Sequence, residues 1–129
     1  MDIRLLRIAV IYLIVGVLLG LYISVSNDFA PVGAHAHIYL LGWATLALTA
    51  IAYRLYPAMR GSPLAKTHFW LHNLGLPLAV VGLMGVMYGY PELGGPVAGS
   101  GSLLIFSGLA AFSINLFRNA NGRVEALSD

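Results

Sequence analysis

The chain has 129 residues, of which 59% are hydrophobic and only 9% charged. Soluble domains carry about 25% charged residues, so a water-soluble fold is excluded, and four apolar runs leave no length for a separate extramembrane domain. The net charge of +2 is explained by membrane topology rather than by nucleic acid, and the lack of Cys excludes disulfides, thiolate metal sites and thiol redox chemistry.

Arg4 and Arg7 precede the first apolar run, Ile8 to about Val25. A bilayer core needs about 20 helical residues, which this run roughly supplies. It is too long for a signal-peptide core and leads to Ser24-Val25-Ser26-Asn27, a poor cleavage site, so it reads as a retained helix. Gly16 and Gly20 form a G-x-x-x-G pair that permits close helix approach. An outer loop, Ser26 to Gly33, leads into the second run, His35 to Leu55, where Trp43 lies deep and Tyr53 and Tyr56 read as headgroup anchors. Pro57 to Lys66 is a turn-rich loop. The third run, His68 to Tyr90, carries Pro77, which removes one helical hydrogen bond and predicts a kink. Pro91 to Gly95 makes the second outer turn, Pro96 to Phe117 the fourth run, and Arg118 to Asp129 a short polar tail that is expected to fray.

The basic residues set the orientation. Arg4, Arg7, Arg54, Arg60, Lys66, Arg118 and Arg123 all fall on one side of the four runs, whereas the other two connections carry Asp28 and Glu92. Positive charge stays in the cytoplasm. The expected fold is therefore all-α: a single-domain integral membrane four-helix bundle, with helices over 5–25, 35–55, 68–90 and 96–117 and both termini cytoplasmic. The runs are continuously apolar rather than alternating, which excludes a β-barrel. The glycines at 94, 95, 99 and 101 lack the lysine and strand of a phosphate loop, and Asp28 and Glu92 are too isolated to pair as acid and base.

Four histidines (His35, His37, His68, His72) mark the starts of the second and third runs. An ionisable side chain at membrane depth is costly, so each is a candidate functional group. His68 and His72 share a face that continues through Gly75, Ala79, Gly82, Val86 and Gly89, smooth enough for a helix or a flat porphyrin. His68 is expected at the headgroups, with His72 about 6 Å deeper. Asn115 is a candidate partner for His72 or for another helix. His35 and His37 project about 200° apart on a helix. The His35 face (Tyr39, Gly42, Leu46, Thr49, Tyr53) is small and polar, and the His37 face (Leu41, Ala44, Leu48, Ile51) is apolar. With the polar face turned to the bundle, His37 meets a subunit, a ligand or lipid. The two pairs lie roughly 20–25 Å apart along the membrane normal, so one metal or haem cannot draw on both within a chain. At the outer level the soft candidates are Met84 and Met87, and His with Met suits haem iron or copper(I).

The stretch His35-Ala36-His37-Ile38-Tyr39-Leu40-Leu41-Gly42-Trp43, running on through Tyr53-Arg54-Leu55-Tyr56-Pro57, resembles the second helix of haem-copper oxidase subunit I, above all in the cbb3-type oxidases and nitric oxide reductases. Nearly the whole chain, including His68-Phe69-Trp70-Leu71-His72-Asn73, is similar to short four-helix bacterial membrane proteins described as cytochrome oxidase subunit I-like. The resemblance implies that His37 ligates haem b near the outer face, with Tyr39 replacing the family's asparagine. The second haem ligand and the three-histidine copper site come from helices absent here, so it implies cofactor binding rather than oxygen or nitric oxide reduction. The expected protein is a haem b- or metal-binding component of the bacterial inner membrane, in contact with lipid. It is accessory to respiratory or nitrogen-oxide metabolism as a homo-oligomer or part of a respiratory complex. Two other readings stay open: a non-redox assembly subunit, and a copper-handling protein using His35, His37, Met84 and Met87.

Overall fold

A computed structural model describes residues 1–120. Arg123 and most of the polar tail lie outside the described residues. Helix α1 spans Asp2–Ser26, α2 Val32–Leu55, the short α3 Pro57–Gly61, α4 Pro63–Met87 and α5 Pro91–Asn119, with no strand among the described residues. All but α3 are long and apolar enough to cross a membrane. At 1.5 Å per residue their 24 to 29 residues extend over about 36 Å or more, enough for a hydrocarbon core.

Local chemistry fixes the helix ends. Asn27 closes α1 in the left-handed region (φ 55°), a conformation that asparagine tolerates. The Asp28 carboxylate accepts from Ala30 N at 3.0 Å and turns the chain toward α2. Ser62 caps α4 by accepting from Leu64 N at 3.2 Å, and Pro63 occupies its first turn. The third helix thus starts five residues before the expected 68, and it ends at Met87 rather than 90 because Gly89 (φ 89°) breaks it. Pro91 likewise opens α5 ahead of 96, leaving Pro96 inside the helix.

The helices alternate in direction and form two hairpins. The α4–α5 hairpin closes backbone on backbone: a Cβ on Gly75 would stand 2.7 Å from Gly101 O, and one on Gly82 2.7 Å from Gly94 O. In α1–α2, glycines face rings instead. Gly16 lies under Tyr39, Gly20 under His35, and Gly42 under Tyr12. The Gly16/Gly20 pair and the Gly75 and Gly82 part of the α4 face are thus covered within the chain. The main buried cluster (Leu5, Ala9, Leu46, Ala47, Ala50, Tyr53, Met59, Ala65) joins the hairpins at the end where the basic residues gather. There Arg60 and Arg54 reach Asp2 at 3.5 and 4.0 Å, and Arg4 lies over the Phe69 ring. Asp28 and Glu92 mark the opposite end.

Candidate functional site: two histidine pairs

Helix periodicity turns His68 and His72 into the seam between the hairpins, where both are fully buried. Their rings sit 5.4 Å apart at 70°. His68 Nδ1 is 3.2 Å from the Tyr53 hydroxyl, and the Phe112 ring packs on both His68 and Tyr53. His68, expected at the headgroups, has no exposed surface, because α2 and α5 close over it. Tyr53 is corrected for the same reason: it is a buried partner of His68, not a headgroup anchor. Nor does the α4 face leave space for a porphyrin, since α5 fills it down to backbone contact.

His72 Nε2 lies 2.9 Å from the Leu41 carbonyl. A carbonyl only accepts, so Nε2 carries the proton and Nδ1 the lone pair. That carbonyl is available because α2 is π-helical from Ile38 to Ala44. Thr45 N–H bonds to Leu40 O, five residues back, and the helix then resumes its four-residue step. Such a change of register passes over one carbonyl, here that of Leu41, and in hydrocarbon an unsatisfied carbonyl must find a donor. His72 supplies it. Asn115, considered as a partner of His72, instead donates to Met59 O at 2.9 Å and accepts from Asn119 at 2.7 Å.

The outer pair diverges, as helical spacing requires. The half-buried His35 ring packs on Gly20 and edge-on against Tyr39, 4.9 Å away. His37 is exposed on the outward face of α2, which continues through the exposed Leu48 and Ile51. Its Nδ1 donates to Gly33 O at 2.8 Å, so Nε2 keeps its lone pair and points away from that bond. The polar stripe His35, Tyr39, Gly42, Leu46, Thr49, Tyr53 does face the bundle.

The soft partners are not level with His37. Leu83 on α4 faces Gly33. Met87 lies one turn outward of Leu83 and His37 one turn inward of Gly33, an offset on the order of 12 Å along the axis, and about half that for Met84. Met87 is 45% exposed, as an outward-turned residue should be. Among the described residues no three His, Cys, Asp or Glu side chains gather where they could hold a metal ion.

At the outer end Asp28 Oδ2 accepts from Tyr88 at 2.6 Å and Tyr22 at 3.2 Å, tying α1 to the turn after α4. The Tyr88 hydrogen bond leads the causes that hold the Asp28 carboxyl below its ordinary value, and the same bond pushes the Tyr88 phenol up to about 12. Sequence reasoning missed this contact, which depends on bringing residues 60 positions apart together. It also missed Leu41, whose role belongs to its backbone. Comparison of the chain with family models, curated proteins and solved structures finds no match.

Proposed function

We propose that the chain is a multi-pass protein of the bacterial inner membrane, both termini cytoplasmic, that binds haem b through His37 between two copies of itself. The observation that carries this reading is the Nδ1 hydrogen bond of His37 to Gly33 O. Iron-ligating histidines hold their ring orientation by donating the other ring N–H to a carbonyl or carboxylate, and this bond leaves Nε2 free on an apolar outward face. An imidazole directed at bare lipid is costly. A second copy presenting its own His37 supplies both the cover and the second axial ligand, at one haem per dimer. Bound haem b would supply one-electron transfer, and an accessory role in respiratory or nitrogen-oxide metabolism follows from that chemistry. The gathering of Arg4, Arg54, Arg60 and Lys66 at one end supports the orientation.

The spectrum of the purified protein tests the reading. A Soret band with a reduced-minus-oxidised haem b signal is expected, lost in His37→Ala and kept in His68→Ala. Loss in His72→Ala with retention in His37→Ala would move the site to the inner pair. Protein made with ample haem and copper that carries neither would favour the assembly-subunit reading. That second reading has its own support: Tyr53, His68, His72 and Asn115 join the hairpins with no ligand required.

A further inference from the structure

His68 Nε2 and His72 Nδ1 are both fully buried, and neither has a hydrogen-bond partner among the described residues. A buried ring nitrogen without a partner is a cost that membrane interiors rarely bear without a use. The two atoms are complementary. The bond from His72 Nε2–H to Leu41 O makes His72 Nδ1 an acceptor. When the Tyr53 hydroxyl donates to His68 Nδ1, His68 Nε2 is an N–H donor. At a ring-centroid separation of 5.4 Å the two nitrogens come within hydrogen-bond reach when they are turned toward each other.

The file continues toward the basic end. Asn115 faces the Tyr53 hydroxyl and accepts from the half-buried Asn119 near the end of α5. In the other direction it stops at Leu41, about 20 Å from the inner end of α2 by the rise per residue and so near mid-membrane. We propose that Tyr53, His68 and His72 form a proton relay that runs from beside the Asn115 and Asn119 amides, on the side of the basic end of the bundle, to the Leu41 carbonyl at mid-membrane. A proton reaching the Tyr53 oxygen lets Tyr53 pass its own hydroxyl proton to His68 Nδ1. His68 then releases its Nε2 proton to His72 Nδ1. His72 now carries both ring protons, with Nε2–H still on the Leu41 oxygen, whose dipole stabilises the cation. The same steps in reverse return the proton, and no electron moves. Facing the pair are Tyr53 from α2 and Phe112 from α5, α1 places the Tyr12 phenol in the adjoining layer, and α3 supplies the Met59 carbonyl. No carboxylate, lysine or arginine among the described residues bonds to any member of the file. The relay does not depend on haem at His37.

The test is hydrogen–deuterium exchange of the imidazole N–H groups, read by nitrogen NMR on histidine-labelled full-length protein in liposomes. Ring protons of His68 and His72 should exchange within minutes, faster in proportion to proton concentration, while backbone amides of the same turns of α4 stay protected for days. Tyr53→Phe should slow ring exchange by roughly a hundredfold, the scale of one positioned acid–base group. Ring exchange no faster than the neighbouring amides in wild-type protein would overturn the relay, whether or not Tyr53→Phe folds. An unchanged rate in a folded Tyr53→Phe protein would overturn it too.

Discussion

The two hairpins bury glycine by opposite means, and their histidines follow suit. In α4–α5 glycine faces glycine, the backbones touch, and the side chains that remain, His68 and His72 among them, turn toward the other hairpin. In α1–α2 Gly16, Gly20 and Gly42 each receive a ring, so His35 and Tyr39 are used up in the pairing and His37 is left on the outside. A smooth glycine face is therefore not in itself a ligand groove. Which surface stays free depends on what the partner helix brings.

The sharpest way to break this contrast is Gly82→Leu. Its Cβ would meet the Gly94 and Ala98 backbone, which cannot move aside as a side chain can. A loss at or above the upper end of the usual overpacking cost of about 1–3 kcal/mol is expected, read as an earlier unfolding transition in detergent. At Gly16 the added Cβ first meets the Tyr39 ring, a side chain that can turn aside, and leucine there should cost less. Equal losses would show that the hairpins do not differ in kind.

Next in size is His72→Leu, which strands the Leu41 carbonyl in an apolar seam. The expected destabilisation is about 2 kcal/mol, the scale of one buried unsatisfied group. His37→Leu, by contrast, removes a ring from the surface and should stay within about 0.5 kcal/mol of wild type while abolishing any haem signal. Denaturation curves of both variants side by side check the pair. If His37→Leu is the more damaging, its ring is structural and the outward face is not a binding face.

Much of this was legible in the sequence. The four runs, their alternation and the inward turn of the His35 stripe follow from hydropathy and helical spacing, which are local properties. Helix ends were less so, because Ser62 with Pro63, and Gly89, act through caps that lie outside the apolar runs. The π segment at Ile38–Ala44 left no mark in composition, because its surplus carbonyl is satisfied by His72, 31 residues away. Tyr53 near the end of its run looked like an interfacial anchor. What buries it is α5, through Phe112, and only tertiary packing reveals that.

The smallest expected effect separates the two ends of the seam between hairpins. At the inner end Tyr53, His68 and His72 join α2 to α4 through fully buried contacts. At the outer end the link is Asp28 with Tyr88 and Tyr22, open to solvent. The Asp28 carboxyl is held below its ordinary range, first by the Tyr88 hydroxyl. A depressed carboxyl contributes stability that is present above the unfolded-chain value of about 3.9 and is lost as pH falls through the lower folded value. Tyr88, pushed up to about 12, has the opposite sign: its contribution is present below the ordinary phenol value of about 10 and is lost as pH rises through the folded one. Wild-type protein should therefore lose a small increment of stability on acidification below pH 4, and Asp28→Asn should flatten that slope while lowering stability slightly at neutral pH. Tyr88→Phe should do the same, since it removes the leading cause of the shift. Thermal unfolding of the three proteins between pH 3 and pH 7 reads the difference. Parallel curves would mean that the outer carboxylate carries no load.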